Sequence, residues 1–206
     1  MNTVLKRAAF ILGTVSLSVG LAACGHDDHD HDHENEVITT VTLTFTPEAG
    51  GAPVVAKWND ADGEGGAAPT IDPITLAAGK YDLSVKFENV LEMPAEDITL
   101  EVLDEADQHF VFLTGTAVSG PASNQAIAPL THTYNDTDKN GLPVGIKNKI
   151  DAKAGMGVLT LTLRHMPPVG GAAVKTATGP ETVKTSGFAT LGGSNDVQVN
   201  FNTTVN

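Results

Sequence analysis

Residues 37–46 of this chain read VITTVTLTFT, and their side chains alternate between two faces along almost the whole stretch. The face that contains Val41, Leu43 and Phe45 is mostly apolar, whereas the opposite face is mostly threonine. A two-residue period built from β-branched side chains is typical of a β-strand with one buried face. The stretch therefore predicts a strand at the start of the folded part of the protein.

The same period recurs along the rest of the chain. The clearest repeats are residues 81–88, 159–164 and 197–202, and the less regular ones are residues 54–58, 71–76, 109–113, 130–135 and 144–150. Turn-forming clusters such as Asn140-Gly141 separate these stretches. Strands at this spacing predict an all-β fold, an antiparallel Ig-like sandwich with Greek-key connections. Residues 166–194, which are rich in glycine, proline and threonine, predict long loops.

The segment from Pro94 to Asp107 departs from this pattern. Pro94 fits the first turn of a helix, where its missing N–H costs nothing. Ile98, Val102 and Ala106 would then share one helical face. We expect one short helix here, and a strand is the alternative for the same residues.

The first residues have the layout of a secretory signal peptide. Lys6 and Arg7 precede a mostly apolar stretch over residues 8–19, and Leu21-Ala22-Ala23-Cys24 then resembles a lipoprotein cleavage site. We expect a lipid on Cys24, and cleavage nearby without a lipid is the alternative. The expected organisation is a signal peptide over residues 1–23, a tether over residues 24–36 and a β-sandwich domain over residues 37–206.

The expected lipid, the charge and the missing motifs bound the class of protein. Several acyl chains on Cys24 would hold the chain stably on a membrane, and we expect an outer-membrane location on the periplasmic or cell-surface side. The formal net charge is −13, which excludes nucleic acid as a partner and favours cations, basic partners or simply solubility. Because the sequence contains no nucleophile elbow and no nucleotide-binding loop, we expect that the protein is not an enzyme.

A tract of alternating histidines and acids follows Cys24. Its candidate metal ligands are His26, His29, His31, His33, Asp28 and Asp30. Imidazole suits zinc and its neighbours in the transition series, and adjacent carboxylates raise the local concentration of cations. The tract predicts binding of divalent zinc, and a solvated spacer is the alternative.

A second candidate metal site involves Glu105, His109 and His165. His165 falls on the apolar parity of its predicted strand, and Glu105 precedes His109 by one helical turn. Two imidazoles and one carboxylate form a common zinc ligand set. The sequence alone does not bring the three residues together, so histidines in ordinary structural environments are the alternative, as they are for His132.

Two acidic loops begin like calcium-binding loops, with oxygen-bearing residues at alternate positions before a glycine. The candidate ligands are Asp60, Asp62 and Glu64 in the first loop and Asp136, Asp138 and Asn140 in the second. Position twelve, which needs a bidentate Glu, is Ile71 in one loop and Lys147 in the other. Ordinary turns are therefore the alternative to calcium sites.

Five segments carry a resemblance to known proteins. They read ITTVTLTFTPEAGGAPV, GGAAPTIDPITLAAGKY, PAEDITLEVLDEADQH, YNDTDKNG and LTLRHMP. They are similar to segments of a family of small outer-membrane lipoproteins of Bacteroidota and their neighbours, often labelled type 1 periplasmic-binding-fold superfamily. The resemblance implies lipidation and a β-rich domain, and it implies no activity. The two-lobed α/β fold that the label names conflicts with the near absence of helical periodicity in this chain.

These features together predict a function in metal handling. We expect an outer-membrane lipoprotein that binds divalent metal, zinc foremost, through its N-terminal tract and passes it to a neighbouring uptake receptor. The alternative is a structural or adhesion sandwich that binds glycan or protein, with the tract as a spacer.

Overall fold

The computed structural model describes residues 36–63 and 65–206, and in these residues the all-β sandwich predicted from the sequence is confirmed. The larger sheet has the strand order β3-β2-β1-β5-β10-β9-β7-β8. Its strands are β1 (Thr40–Pro47), β2 (Val54–Asn59), β3 (Thr70–Ile71), β5 (Gly79–Glu88), β7 (Val118–Gly120), β8 (Ser123–Asn124), β9 (Leu130–Tyr134) and β10 (Lys147–Ala152). The smaller sheet has the order β4-β12-β11-β6. Its strands are β4 (Ile74–Leu76), β6 (His109–Thr114), β11 (Gly155–His165) and β12 (Ser194–Val205).

The core lies between the two sheets. Val41, Leu43 and Phe45 of β1 are fully buried, as their parity predicts, and they belong to one apolar cluster with Leu161 and Leu163 of β11. Most strand pairs are antiparallel, and the exceptions among the described pairs are β4 with β12 and β7 with β9. Alternation of apolar and polar residues thus decides which face of each long strand joins the core.

The helix predicted within Pro94–Asp107 is present, but it begins later than Pro94. Helix α1 spans Ile98–Asp104, and its N-cap is Asp97, whose side chain accepts a hydrogen bond from the Thr99 backbone N–H. The Asp97 carboxylate accepts a hydrogen bond from a backbone N–H in the first turn, whereas a proline side chain cannot accept one. The helix therefore starts after Asp97 and not at Pro94. Ile98 and Val102 are buried against the core, as their spacing predicts.

A second short helix lies where long loops were predicted. Helix α2 spans Gly179–Ser186, and a 3₁₀ turn follows at Phe188–Thr190. Gly187 has φ = +70° and lets the chain leave the helix. The helix has Val183 as its one buried large apolar residue, which explains why its sequence shows little helical pattern.

Strand β12 contains a β-bulge at its N-terminal end. Leu163 pairs with Val197 and Arg164 pairs with Asn195, so Asp196 is an extra residue without a cross-strand partner. The Arg164 guanidinium donates hydrogen bonds to the Asn195 side chain and to the backbone carbonyl groups of residues 191–193. Arg164 thereby fixes the loop that leads into the bulge.

None of the helices in the described part of the chain combines the length and the apolar character that crossing a bilayer requires.

Candidate metal centre

Two histidines meet at one end of the smaller sheet. His109 is the first residue of β6, His165 is the last residue of β11, and the two are direct cross-strand partners. Both share the parity of core residues such as Val111 and Leu163, so both rings point into the sandwich. The rings stack with their centroids 4.5 Å apart. Strand register therefore brings together two imidazoles that are far apart in the sequence.

Glu105 adds a carboxylate from the end of helix α1. One of its side-chain oxygens lies 3.8 Å from His165 Nε2. Glu105, His109 and His165 each offer one ligand atom, and these atoms all lie within 4.8 Å of one another. The structure thus brings together the three residues of the second candidate site. Glu105 is also the half-exposed member of the group, so solvent reaches the site from its side.

The tautomer of His109 follows from its hydrogen bond. Its Nδ1 lies 3.3 Å from the Glu105 backbone oxygen, which can only accept, so Nδ1 carries the proton. Burial, followed by the nearby His165, lowers the pKa of His109 to about 4, so the ring is neutral at pH 7. Nε2 then presents a lone pair, and within residues 36–63 and 65–206 it has no hydrogen-bond partner. A neutral imidazole in this tautomer is ready to ligate a metal through Nε2.

Asp196 is a further acidic neighbour that the sequence analysis missed. Its Oδ2 lies 3.9 Å from His109 Nε2, and both side chains are 0% exposed. Burial raises the pKa of Asp196 to about 7, although the Glu36 backbone N–H and the Arg164 charge oppose this effect. The Glu36 N–H lies close enough to lower the pKa of Asp196. Its geometry is too poor for a regular hydrogen bond, and neither Asp196 oxygen accepts one from the described part of the chain.

Glu36 and Glu101 extend the acidic surroundings. Burial raises the pKa of Glu36, and a hydrogen bond with the Glu101 side chain raises it further. The charges of Glu101, Asp196 and Glu105 act in the same direction. Carboxylates that raise one another's pKa share a surplus of negative charge, which a bound cation would relieve.

The donor set defines what this cluster can do chemically. Two imidazole nitrogens and one carboxylate oxygen suit zinc and similar transition metals, whereas calcium and magnesium prefer oxygen ligands throughout. The two histidines sit on adjacent strands of a sheet, which hold ligands more precisely than loops do. The cluster therefore offers a set of donor atoms that a transition metal could bind.

The residues of the N-terminal predictions lie outside the described residues. They are the lipidation candidate Cys24 and the tract ligands His26, Asp28, His29, Asp30, His31 and His33.

The second acidic loop uses its carboxylates within the protein. Asp136 accepts hydrogen bonds from the backbone N–H groups of Gly145 and Lys147. Asp138 Oδ1 accepts two more from within its own turn, and Asp138 Oδ2 lies 2.9 Å from the buried Lys175 ammonium. Burial raises the pKa of Asp138, but Lys175 and the backbone donors outweigh it and lower the pKa overall. The carboxylates of this loop thus hold a turn together and contact Lys175 of the same chain, and Asn140 contributes its backbone N–H to that turn.

The first acidic loop also forms a turn. The backbone N–H of Gly63 donates to the Asp60 carbonyl, and Asp62 Oδ2 accepts from the Ala67 backbone N–H. Gly63 has φ = +76°, which this turn requires. Glu64, the third candidate ligand, is not among the described residues.

His132 stands apart from the metal candidate. Asn148 donates from its side-chain nitrogen to the Gly145 carbonyl, so its oxygen accepts from His132 Nε2 at 2.8 Å. His132 Nδ1 is buried and, within the described chain, has no hydrogen-bond partner. Burial lowers the pKa of His132 to about 4. His132 is therefore a neutral core residue with one of its two ring nitrogens hydrogen-bonded.

Comparison with known proteins gives no match, whether with family models, curated proteins or solved structures.

Proposed function

We propose that this protein binds a divalent transition metal, zinc foremost, at Glu105, His109 and His165. The observation that carries the proposal is the convergence of three ligand atoms within 4.8 Å of one another. The lone pair on His109 Nε2 supports it, because this buried nitrogen, unlike the similarly unpartnered Nδ1 of His132, lies beside two further ligand atoms.

The ligand set favours zinc over the other common divalent cations. Neutral imidazole is a poor partner for calcium or magnesium, and zinc sites with two histidines and one carboxylate are a well-known combination. Three protein ligands leave a fourth position for water or a further side chain. The half-exposed Glu105 marks the side from which a metal reaches the site.

The N-terminal tract supplies the second half of the proposal. Four histidines and neighbouring acids in residues 26–34 bind zinc weakly, because the ion can exchange one imidazole of the tract for another. A lipid on Cys24 keeps the protein at the outer membrane, and an uptake receptor receives the metal. The sequence of residues 1–34 supports the tract and the lipid, whereas the receptor follows from the expected location and from the need to move captured metal inward.

Calorimetric zinc titration of the full chain tests both halves. The four-histidine variant replaces His26, His29, His31 and His33 by Ala. We expect it to keep one zinc per chain and to unfold at the wild-type temperature, because the sequence predicts that the tract precedes the folded domain. Adding His109→Gln with His165→Gln should abolish the remaining binding. The control is His132→Gln in the same background, which removes a buried histidine outside the cluster and should leave that zinc in place.

Three results would contradict the proposal. One zinc per chain after loss of His109 and His165 would move the site elsewhere. If the wild type and the four-histidine variant bind equal amounts of zinc, the N-terminal tract does not bind the metal. If the wild type binds no zinc, the structural or adhesion function becomes the better hypothesis.

A further inference from the structure

We infer that Asp196 is a fourth ligand of the site, so that two imidazole nitrogens and two carboxylate oxygens enclose the metal. The inference rests on the proposed function, because it completes the same site. It is carried by different observations, namely the bulge in β12, the full burial of the Asp196 side chain and its distance from His109.

The bulge aims the Asp196 side chain at the site. In regular alternation Asp196 would share the outward face with Gln198 and Asn200, while Val197 faces the core. Because Asp196 is the extra residue between the Leu163–Val197 and Arg164–Asn195 pairs, the alternation is interrupted there and Asp196 can face the same side as Val197. Bulges often re-aim a side chain in this way next to functional sites. The result is a carboxylate that points inward beside His109.

The burial of Asp196 is costly without a cation. Its side chain is 0% exposed, and neither oxygen has a hydrogen-bond partner among the described residues. The Arg164 guanidinium donates its hydrogen bonds to Asn195 and to the carbonyls of residues 191–193, and not to Asp196. A buried carboxylate that has only the nearby Glu36 N–H is costly as an anion, and a bound metal ion compensates for that charge without the carboxylate taking up a proton.

The distances allow a shared metal. Two ligand atoms on one tetrahedral zinc lie about 3.3 Å apart, given zinc–ligand bonds of about 2.0–2.1 Å. Asp196 Oδ2 and His109 Nε2 are 3.9 Å apart, and Glu105 Oε2 and His165 Nε2 are 3.8 Å apart. These two pairs need to close by about 0.5 Å. The other ligand atoms of the triad lie up to 4.8 Å apart and the two imidazole rings are stacked, so binding also requires a ring and the Asp196 side chain to rotate towards the ion.

A purely structural Asp196 predicts something different. In that case the carboxyl group would only pack beside His109 and the Glu36 backbone, and the metal would have three protein ligands. Replacing Asp196 by the isosteric Asn would then leave the number and type of ligands unchanged. A spectroscopic reading of the bound metal separates the two possibilities.

Cobalt(II) binding to the full chain provides this reading, with the four-histidine variant as background. Four-coordinate Co²⁺ absorbs visible light intensely, and its bands shift when a ligand changes. We expect Asp196→Asn to weaken cobalt and zinc binding by at least about tenfold and to change the cobalt spectrum. The matched control is Asp104→Asn, which removes one charge from the exposed side of α1 and should change neither.

Thermal unfolding at pH 8 gives a second reading that does not depend on affinity. In the presence of a chelator, Asp196→Asn should melt at the same temperature as its background or higher, because it removes an unpaired buried charge. With zinc, its gain in melting temperature should be smaller than that of the background.

Each outcome decides between the hypotheses. Weaker binding with an altered cobalt spectrum and an intact metal-free fold supports Asp196 as a ligand. Unchanged affinity and spectrum would overturn that role while the proposed three-residue site stands. Failure of the four-histidine background to bind any metal would overturn both.

Discussion

The imidazole rings of His109 and His165 stack with their centroids 4.5 Å apart and their planes 9° from parallel. The stack follows from strand register, because the two residues are direct partners on β6 and β11. Two charged imidazoles at this distance in a buried place would repel each other, which contributes to the low pKa of His109. His109 is therefore kept neutral, and one ring of the stack must rotate before both imidazoles can bind the same metal ion.

Breaking the buried ion pair between Asp138 and Lys175 should destabilise the protein strongly. Asp138→Asn leaves the Lys175 ammonium buried without its counter-charge, while the backbone hydrogen bonds of the turn can still form to the amide oxygen. We expect a loss of about 3–5 kcal/mol in the free energy of unfolding. Urea unfolding measures it.

Two controls make this prediction specific. Asp138→Asn with Lys175→Met removes both charges and should be more stable than Asp138→Asn alone. Lys139→Met breaks an exposed pair with Asp107 and should cost less than about 1 kcal/mol. A small effect of Asp138→Asn, equal to that of Lys139→Met, would mean that the buried pair contributes little.

Calcium should stabilise the protein only slightly. The oxygens of Asp136 and Asp138 already accept backbone N–H groups or contact Lys175. If any calcium binds with a millimolar dissociation constant, 1 mM calcium adds about 0.4 kcal/mol, or roughly 1–2 °C in melting temperature. A calorimetric melt with and without calcium checks this value.

The contrary result for calcium would be a large shift that a loop variant removes. Asp60→Ala with Asp62→Ala tests the first loop, and Asp136→Ala with Asp138→Ala tests the second. A rise of several degrees that disappears in one of them would identify a calcium site and favour the adhesion hypothesis.

His132 should make the protein less stable in acid. Its pKa is lowered to about 4 in the folded state, against about 6.5 when the chain is unfolded. The unfolded state therefore binds more protons between these values, and stability is lost as the pH falls from about 6.5 towards 4. Between pH 7.5 and 4.5 the wild type should lose about 2–3 kcal/mol more than His132→Gln.

Urea unfolding in chelator at the two pH values measures this difference. Comparing the two proteins cancels the contributions of the other titrating groups, provided that these act independently of His132. Equal losses in both proteins would mean that His132 is not held neutral by its surroundings.

Cys24→Ala should release the protein from the membrane. The thiol is the attachment point of the expected lipid, and the acidic chain has little affinity for anionic lipid surfaces. Fractionation of cells that produce each form should place the wild type with the outer membrane and the variant with the soluble fraction. A variant that stays with the membrane and dissolves only in detergent would contradict lipidation at Cys24.

Much of the fold could be predicted from local patterns. Alternation identified β1, β5, β11 and β12 and placed His165 on the inner face of its strand. The contact between His109 and His165 could not be predicted, because it depends on which strand lies beside β11 and in which register. The local sequence pattern shows which side chains of a strand face the core, whereas the residues that lie beside them depend on the pairing of strands that are distant in the sequence.

The missed features have physical reasons of the same kind. Asp196 has the parity of an exposed residue, and only a bulge turns it inward. Lys175 lies in a stretch of small and polar residues that reads as a solvated loop, yet it pairs with Asp138 in the interior. Hydrophobic periodicity cannot predict the burial of Lys175 and Asp138, because both residues are charged and read as exposed.

Anomalous X-ray diffraction from zinc-soaked crystals tests the central claim most directly. Data collected on both sides of the zinc absorption edge locate the ion itself. We predict one strong peak about 2.0–2.2 Å from Glu105, His109 Nε2 and His165 in every copy of the chain. The absence of a peak at these residues, with zinc bound only elsewhere on the surface, would contradict the account.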